Sequence, residues 1–144
     1  MNMKAIGLNL AVCALLVFAF AGCESIGGGG GMSDEEMIRS LVDDAMAGLK
    51  AQDIDAMVAD YADSFESDQG GDTAEMKEFL EGAKEQGFLD DIEVDLSSMV
   101  ITVDGNKATA KPIELEAPSI GSLTLEYDLE KIDGRWQVTY SAQF

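Results

Sequence analysis

The sequence predicts an α+β domain over residues 33–144, in which N-terminal helices cover one face of a mostly antiparallel sheet. Three observations predict this class. Apolar residues recur at helical spacing up to Gly87, and helix-capping patterns precede them. After Gly87 the apolar residues alternate with polar ones, as they do in half-buried strands. The pairs Asp104-Gly105 and Asp133-Gly134 are typical of tight turns between antiparallel strands. Helices followed by consecutive strands is the element order of an α+β fold.

Capping patterns predict where three helices begin. Ser33 and Glu36 form a capping box that opens the first helix, and Asp72 and Glu75 form one that opens the third. Asp53 is a suitable N-cap for a second helix, which we expect to continue to the glycine-containing loop at residues 67–71. The predicted apolar stripes are Ile38, Leu41, Val42, Ala45, Met46 and Leu49 in the first helix, Ile54, Met57, Val58, Tyr61 and Phe65 in the second, and Met76, Phe79, Leu80 and Ala83 in the third.

Alternation of apolar and polar residues predicts the strands. The predicted strands lie around residues 92–96, 99–103, 107–117, 123–130 and 136–144. Pro112 predicts either an edge position or a bulge in the third of them, because proline has no N–H for the sheet. Strict alternation puts two sets of residues on the inward face of the sheet. They are Leu123, Leu125, Tyr127 and Leu129 in one strand, and Trp136, Val138, Tyr140 and Ala142 in the next.

Residues 1–22 have the organisation of a secretion signal. Lys4 supplies a positive charge, and residues 5–20 form an apolar core that is short for a membrane span. Residues 20–23, Phe-Ala-Gly-Cys, resemble the lipobox of bacterial lipoproteins, with Phe20 where leucine is more usual. The resemblance implies that Cys23 is acylated and becomes the N-terminus of the mature protein. An uncleaved membrane helix is the alternative interpretation.

The same resemblance implies a location. Residues 23–32 would form the lipidated cysteine and a glycine-rich tether, and the acyl chains of a mature lipoprotein are sufficient for stable anchoring. We therefore expect a protein of the cell envelope that faces the periplasm or the exterior. An aspartate directly after the acylated cysteine resembles an inner-membrane retention signal. This sequence has Glu24 at that position, which favours the outer membrane in a Gram-negative source.

Composition excludes several classes of function. The chain has 28 acidic and 9 basic residues, and loss of Lys4 with the signal leaves 8 basic ones, for a net charge of −20. Nucleic-acid binding and peripheral binding to anionic lipid both need basic clusters, which are absent. There is no histidine, and Cys23 is the only cysteine beyond the signal. The usual structural zinc sites and the Ser-His-Asp and Cys-His catalytic arrangements are therefore excluded.

The acidic residues are interpreted as a solvated surface that keeps the protein soluble. Their spacing around Gly70-Gly71 does not match an EF-hand loop, so we expect no metal and no cofactor. Binding of a basic partner and weak calcium binding remain alternatives at this point.

Two phrases resemble the nuclear transport factor 2-like superfamily, which includes polyketide cyclase-like and ketosteroid isomerase-like proteins. The first is the helix break at residues 49–57, with Gln52 where glycine is common, and the second is the hairpin and strand at residues 131–138. The resemblance covers residues 33–144 and implies a cone-shaped, cystatin-like α+β domain whose sheet is curved. This fold hosts enzymes, binding proteins and interaction modules, so it does not determine the function.

The resemblance implies that ligands bind inside the cone. Residues on the inferred inward faces and in the helices that cover them form the candidate pocket lining: Tyr61, Phe65, Phe79, Leu125, Tyr127, Trp136, Val138 and Tyr140. The inferred inward strand faces contain no carboxylate, so we assign no catalytic residue. A pocket acid contributed by Asp60 or Asp63 is the exception that would support enzyme activity.

Three functional hypotheses follow. The favoured one is a non-enzymatic envelope lipoprotein whose domain binds a small apolar ligand or a protein partner. The second is a polyketide cyclase-like isomerase, dehydratase or hydrolase, which would need Asp60 or Asp63 near Tyr127 or Tyr140. The third is a homodimeric interaction module whose cone is filled by side chains. The presence and lining of a cavity distinguish the three.

Overall fold

Three helices and six strands make up residues 31–144, which are the residues described by the computed structural model of this chain. In chain order they are α1 (Asp34–Lys50), α2 (Ile54–Met57), β1 (Tyr61–Ser67), α3 (Thr73–Glu85), β2 (Glu93–Asp95), β3 (Val100–Asp104), β4 (Lys107–Ala117), β5 (Gly121–Ile132) and β6 (Arg135–Gln143). The predicted signal, Cys23 and most of the predicted tether lie outside the described residues. Within residues 31–144 no helix is long and apolar enough to cross a membrane.

All six strands join one sheet, in the order β1-β6-β5-β4-β2, and β3 pairs with β4 on the same side as β2. The β1–β6 pair is parallel and the other pairs are antiparallel. Residues Met32–Phe144 form a compact unit whose hydrophobic core runs from Ile38 to Val138. The unit thus contains its own core, which is the requirement for independent folding. The predicted α+β class with a mostly antiparallel sheet is confirmed.

The local capping chemistry places α1 and α3 where the sequence predicts them. The Ser33 hydroxyl accepts a hydrogen bond from the Glu36 N–H, and the Glu36 carboxylate accepts one from the Ser33 N–H. Asp72 and Glu75 repeat this arrangement at α3. The residues on the predicted face of α1 are all buried, because the helix lays this stripe against the core.

The prediction of a second helix as far as Phe65 is wrong. Asp53 caps α2 as expected, but α2 has only four residues and the chain then becomes β1. Tyr61 lies opposite Val138 in the parallel pair, and the Val138 N–H donates to the carbonyl of Asp60. The apolar spacing of residues 54–65 fits a helix, yet the edge of β6 offers unpaired N–H and C=O groups, and residues 61–67 pair with them as a strand. Sheet pairing therefore overrides the local pattern.

Two bulges change the faces of long strands. The register of β4 and β5 shifts between Ala110 and Ile113, so Pro112 marks a bulge in an interior strand. In β6, Tyr140 lies opposite Asp128 and Val138 lies opposite Leu129, which leaves Thr139 as an extra residue.

The bulge at Thr139 changes which residues of the last strand face inward, so the inward face differs from the predicted one. Directly opposed residues share a face of the sheet. Ser141 lies opposite Tyr127 and is buried, whereas Tyr140 shares the outer face with Asp128. The prediction that Tyr140 and Ala142 point inward is therefore wrong, because strict alternation does not survive the extra residue.

The Asp34 carboxylate links the start of α1 to the β5–β6 hairpin through two side-chain hydrogen bonds. Asp34 Oδ1 accepts hydrogen bonds from Lys131 Nζ at 2.7 Å and from Trp136 Nε1 at 2.9 Å. The hydrogen bond from Lys131, followed by that from Trp136, lowers the pKa of Asp34 below its ordinary value. Lys131 Nζ also lies 5.8 Å from the centre of the Trp136 ring, within range of a cation–π interaction.

We predict that Gly48→Ala destabilises the domain. A Cβ atom at Gly48 would lie 2.7 Å from the backbone nitrogen of Met57, so α1 and α2 would have to separate. The expected loss is about 1–3 kcal/mol in the free energy of unfolding, measured by urea denaturation.

Gly82→Ala is the matched control, because it lies in α3 and its Cβ would have no neighbour within 4 Å. It is expected to raise the free energy of unfolding by about 0.5–1 kcal/mol, since alanine is the better helix former. Equal effects of the two substitutions would contradict the close contact at Gly48.

Candidate functional site

The inner face of the sheet and the helices enclose a cavity of about 480 Å³. Apolar side chains from α1, α3, β4 and β5 and from the segment after α3 form most of its wall, including Leu49, Leu80, Ala83, Leu89, Leu115 and Leu125. A volume of this size is within the usual range for small-molecule sites. Side chains therefore do not fill the interior of the domain, as a filled interaction module would require.

Exposed apolar side chains mark the mouth of the cavity. Phe79, Phe88 and Ile120 line the cavity and are also exposed to solvent, Phe79 by 63% of its surface. Large apolar side chains exposed around an opening are typical of a surface that contacts a ligand or a partner. The mouth is thus formed by the loop at residues 67–71, α3, the segment that follows it and the β4–β5 turn.

A hydrogen-bonded tyrosine pair lies in the wall of the cavity. The hydroxyl oxygens of Tyr61 and Tyr127 are 2.9 Å apart, and their rings meet edge to face with centroids 6.0 Å apart. Tyr61 is almost fully buried and Tyr127 is fully buried. Burial raises the pKa of Tyr127 to about 12. Burial and the neighbouring Tyr127 raise the pKa of Tyr61 well above its ordinary value. Both phenols are therefore protonated at neutral pH.

The tyrosine pair retains a hydrogen-bond donor that it does not use internally. Two phenols carry two hydroxyl hydrogens, and the bond between them uses one. Ser141, opposite Tyr127 in β6, also lines the cavity and is only 7% exposed. Among the hydrogen bonds of residues 31–144, none involves the Ser141 side chain. The wall of the cavity thus contains hydroxyl donors from the tyrosine pair and from Ser141.

Two carboxylates line the cavity where it is exposed to solvent. Asp68 Oδ2 accepts from the Gln143 N–H at 3.0 Å, and Glu75 Oε2 accepts from the Asp72 N–H at 3.1 Å. Neither carboxylate is buried. Among residues 31–144, no lysine or arginine lines the cavity. Within the part of the chain that the structure describes, no group of three or more side chains could hold a metal ion.

The structure brings together half of the residues that the sequence predicts for the pocket. Tyr61, Phe79, Leu125 and Tyr127 line the cavity. The other four lie elsewhere: Phe65 packs against the Tyr61 ring, Trp136 donates to Asp34, Val138 is buried in the core, and Tyr140 lies on the outer face of the sheet.

Sequence reasoning missed Ser141, Phe88, Ile120 and the loop at residues 67–71 as parts of the wall. The bulge that turns Ser141 inward leaves no signal in the sequence. The Gly70-Gly71 pair indicated a loop, but nothing in the pattern indicated that this loop lies against the cavity.

The carboxylates considered for catalysis lie away from the cavity wall. Asp63 is exposed on β1, beside a shallow groove that also contains Glu66 and Asp72. Asp60 precedes β1, and its backbone carbonyl pairs with Val138. Neither residue is among those that line the cavity with Tyr61 and Tyr127.

The domain is similar to solved bacterial structures. A nuclear transport factor 2-like protein of unknown function from Shewanella baltica superposes with a TM-score of 0.63 at 15% identity, over 79% of this chain and 97% of that one. A protein of unknown function with a cystatin-like fold from Nostoc punctiforme gives a TM-score of 0.62 at 14% identity, over 79% and 93%. A nuclear transport factor 2-like protein of unknown function from Pseudomonas putida gives 0.60 at 19% identity, over 78% and 88%.

These similarities establish the fold alone, because the identities are low. The domain has the nuclear transport factor 2-like, cystatin-like fold, which confirms the predicted cone-shaped class with its curved sheet. No protein-family model matches the chain, and no curated protein is significantly similar to it in sequence.

We predict that the two buried tyrosines remain un-ionised at about pH 11, whereas they ionise at about pH 10 in the unfolded chain. A folded-state pKa above the unfolded value gives stability that is complete below pH ~10 and is lost as the pH rises towards 12. Ultraviolet absorbance of tyrosinate in folded and urea-unfolded protein measures both states.

The variant Tyr61→Phe, Tyr127→Phe serves as the control, since it should lose the late-titrating signal. Ionisation of Tyr61 and Tyr127 near pH ~10 in the folded protein would contradict the burial of the pair.

Proposed function

We propose that this domain is a non-enzymatic binding module for a small apolar ligand that carries a hydrogen-bond acceptor, held at the cell envelope through acylated Cys23. The observation that carries the proposal is the cavity of about 480 Å³ whose apolar wall contains the Tyr61–Tyr127 pair. Sites for small molecules are usually apolar with a few placed polar groups. The fold similarity agrees with this class of function, which the fold hosts among others.

The unused hydroxyl hydrogen specifies the chemistry of the ligand. A buried donor without a partner costs free energy that a bound acceptor would recover. A carbonyl or ether oxygen next to the tyrosine pair would accept this hydrogen, while the rest of the ligand contacts Leu115, Leu125 and the other apolar side chains. An alkane of the same size would bury the same apolar area and leave the donor unpaired.

The protonation states of Tyr61 and Tyr127 support binding rather than catalysis. General acid–base catalysis works best when the group has a pKa near the operating pH. The pKa values of Tyr61 and Tyr127 are both raised by burial, so neither phenol is a base at neutral pH. Asp68 and Glu75 are exposed and already accept backbone hydrogen bonds. An isomerase, dehydratase or hydrolase would need a buried carboxylate in this wall.

We predict that the Met32–Phe144 domain binds a medium-chain methyl ketone about tenfold more tightly than the alkane of equal length. The preference corresponds to one hydrogen bond, worth about 1.4 kcal/mol. Titration calorimetry with both ligands measures it. In the variant Tyr61→Phe, Tyr127→Phe the rings remain, so both ligands should bind and the preference should disappear.

A pair of substitutions tests whether the cavity is the site. Ala83→Phe places a large ring in the cavity wall and should abolish binding of both ligands. Ala47→Phe makes the same change on the exposed face of α1 and should leave binding intact. The binding proposal fails if neither ligand binds, or if Ala83→Phe binds as well as the parent domain.

Membrane anchoring is the second part of the proposal, and it rests on residues 20–23 of the sequence. We predict that cells fed an alkyne-bearing fatty acid label the full chain, that Cys23→Ala abolishes the label, and that the labelled protein lacks residues 1–22 by mass. An unlabelled protein of full mass would instead support an uncleaved membrane helix.

A further inference from the structure

We infer that the ligand is a cationic amphiphile, whose apolar part occupies the cavity and whose positive group lies at the mouth between Asp68 and Glu75. This inference rests on the proposed binding function and adds the charge of the ligand to it. Three observations carry it: the two carboxylates in the wall, the absence of lysine and arginine from that wall among residues 31–144, and the buried Tyr61–Tyr127 pair as a polar group of the same wall.

Backbone contacts fix the two carboxylates in place before any ligand binds. Asp68 is held by the Gln143 N–H, and its own N–H donates to the carbonyl of Ser141. Glu75 is held by the capping box with Asp72. Each carboxylate accepts one of these bonds and keeps further acceptor positions for a cation. Charges that are already positioned need little reorganisation on binding.

The two lysines of α3 are outnumbered by acids near the mouth. Lys77 forms an ion pair with Asp55, whereas Lys84 donates to the neutral carbonyl of Gln52 at 2.8 Å and keeps its positive charge. Neither lysine lines the cavity. The exposed face of α3 adds further acids, namely Glu78, Glu81 and Glu85. The potential at the mouth is therefore negative, which attracts cations and repels anions.

The aromatic side chains at the mouth suit the same ligand. Phe79 lies one helical turn after Glu75, so the two side chains share a face of α3. Phe88 is exposed at the same opening. The faces of aromatic rings attract cations, and quaternary ammonium groups are commonly recognised in this way. A trimethylammonium group would thus contact both a carboxylate and a phenyl ring.

An anionic amphiphile is disfavoured for the same reasons. The carboxylate of a fatty acid would lie beside Asp68 and Glu75 with no basic partner in the wall. At a separation of about 6 Å and the dielectric constant of water, one unit charge changes affinity by about threefold. Two carboxylates together therefore give about a tenfold preference for a cation over a neutral head group.

The test uses three single-chain amphiphiles with the same alkyl tail and a trimethylammonium, an alcohol or a carboxylate head group. Titration of the Met32–Phe144 domain below the micelle concentration should give affinities in the order cation, alcohol, carboxylate. The cation should bind about tenfold more tightly than the alcohol, and this advantage should shrink as salt is added, because exposed charges are screened.

Matched variants assign the effect to the mouth. Asp68→Asn with Glu75→Gln removes two charges and keeps acceptors for both backbone bonds, so the advantage of the cation should fall to about onefold to threefold. Glu35→Gln with Asp44→Asn removes two exposed charges of α1 and should leave the advantage unchanged.

The outcomes separate the two proposals. Equal binding of the cation and the alcohol would overturn the charge inference and leave the binding function standing. Failure of all three amphiphiles to bind would overturn both. An oligolysine peptide that binds as tightly as the cationic amphiphile would also overturn the inference, because the mouth would then recognise a basic protein surface.

Discussion

The recognition chemistry proposed for the cavity depends on the hydrogen bond between Tyr61 and Tyr127. It joins β1, at one edge of the sheet, to β5 in its interior, across β6, which lies between them. Each phenol alone would be a buried polar group without a partner, and such groups are costly. When the two phenols pair, each has a hydrogen-bond partner, so two polar groups can be buried among the apolar side chains of the wall. The same pair leaves one hydrogen free, so the bond that stabilises the wall also equips it to recognise an acceptor.

Local chemistry explains which elements could be predicted from the sequence. The capping boxes at Ser33 and Asp72 and the turn at Asp104-Gly105 act within a few residues, and the structure contains them as predicted. The strand β1 could not be predicted, because its partner β6 is more than 70 residues away. The bulge at Thr139 is invisible for a similar reason, since a bulge is a property of two paired strands.

The candidate site could also be predicted only in part from the sequence. Tyr61 and Tyr127 were identifiable as aromatic residues of the interior, but the contact between their hydroxyls depends on the parallel pairing of β1 with β6. Ser141 was assigned to the wrong face by strict alternation. Gln52 stands where the motif that residues 49–57 resemble has glycine, and it adopts a positive φ of 56°. Its amide compensates by donating to Asp90, a contact that glycine cannot make.

The position of the start of α1 determines where a label or a solid support can be joined to the domain without covering the cavity. Asp34 fixes the start of the helix at the β5–β6 turn, and Leu49 lines the cavity about 22 Å further along the helix. The end of β6 lies at the cavity, because Gln143 belongs to the cavity wall and Phe144 follows it directly. A label or a solid support joined ahead of Ser33 therefore leaves the opening free, whereas a purification tag after Phe144 starts beside it.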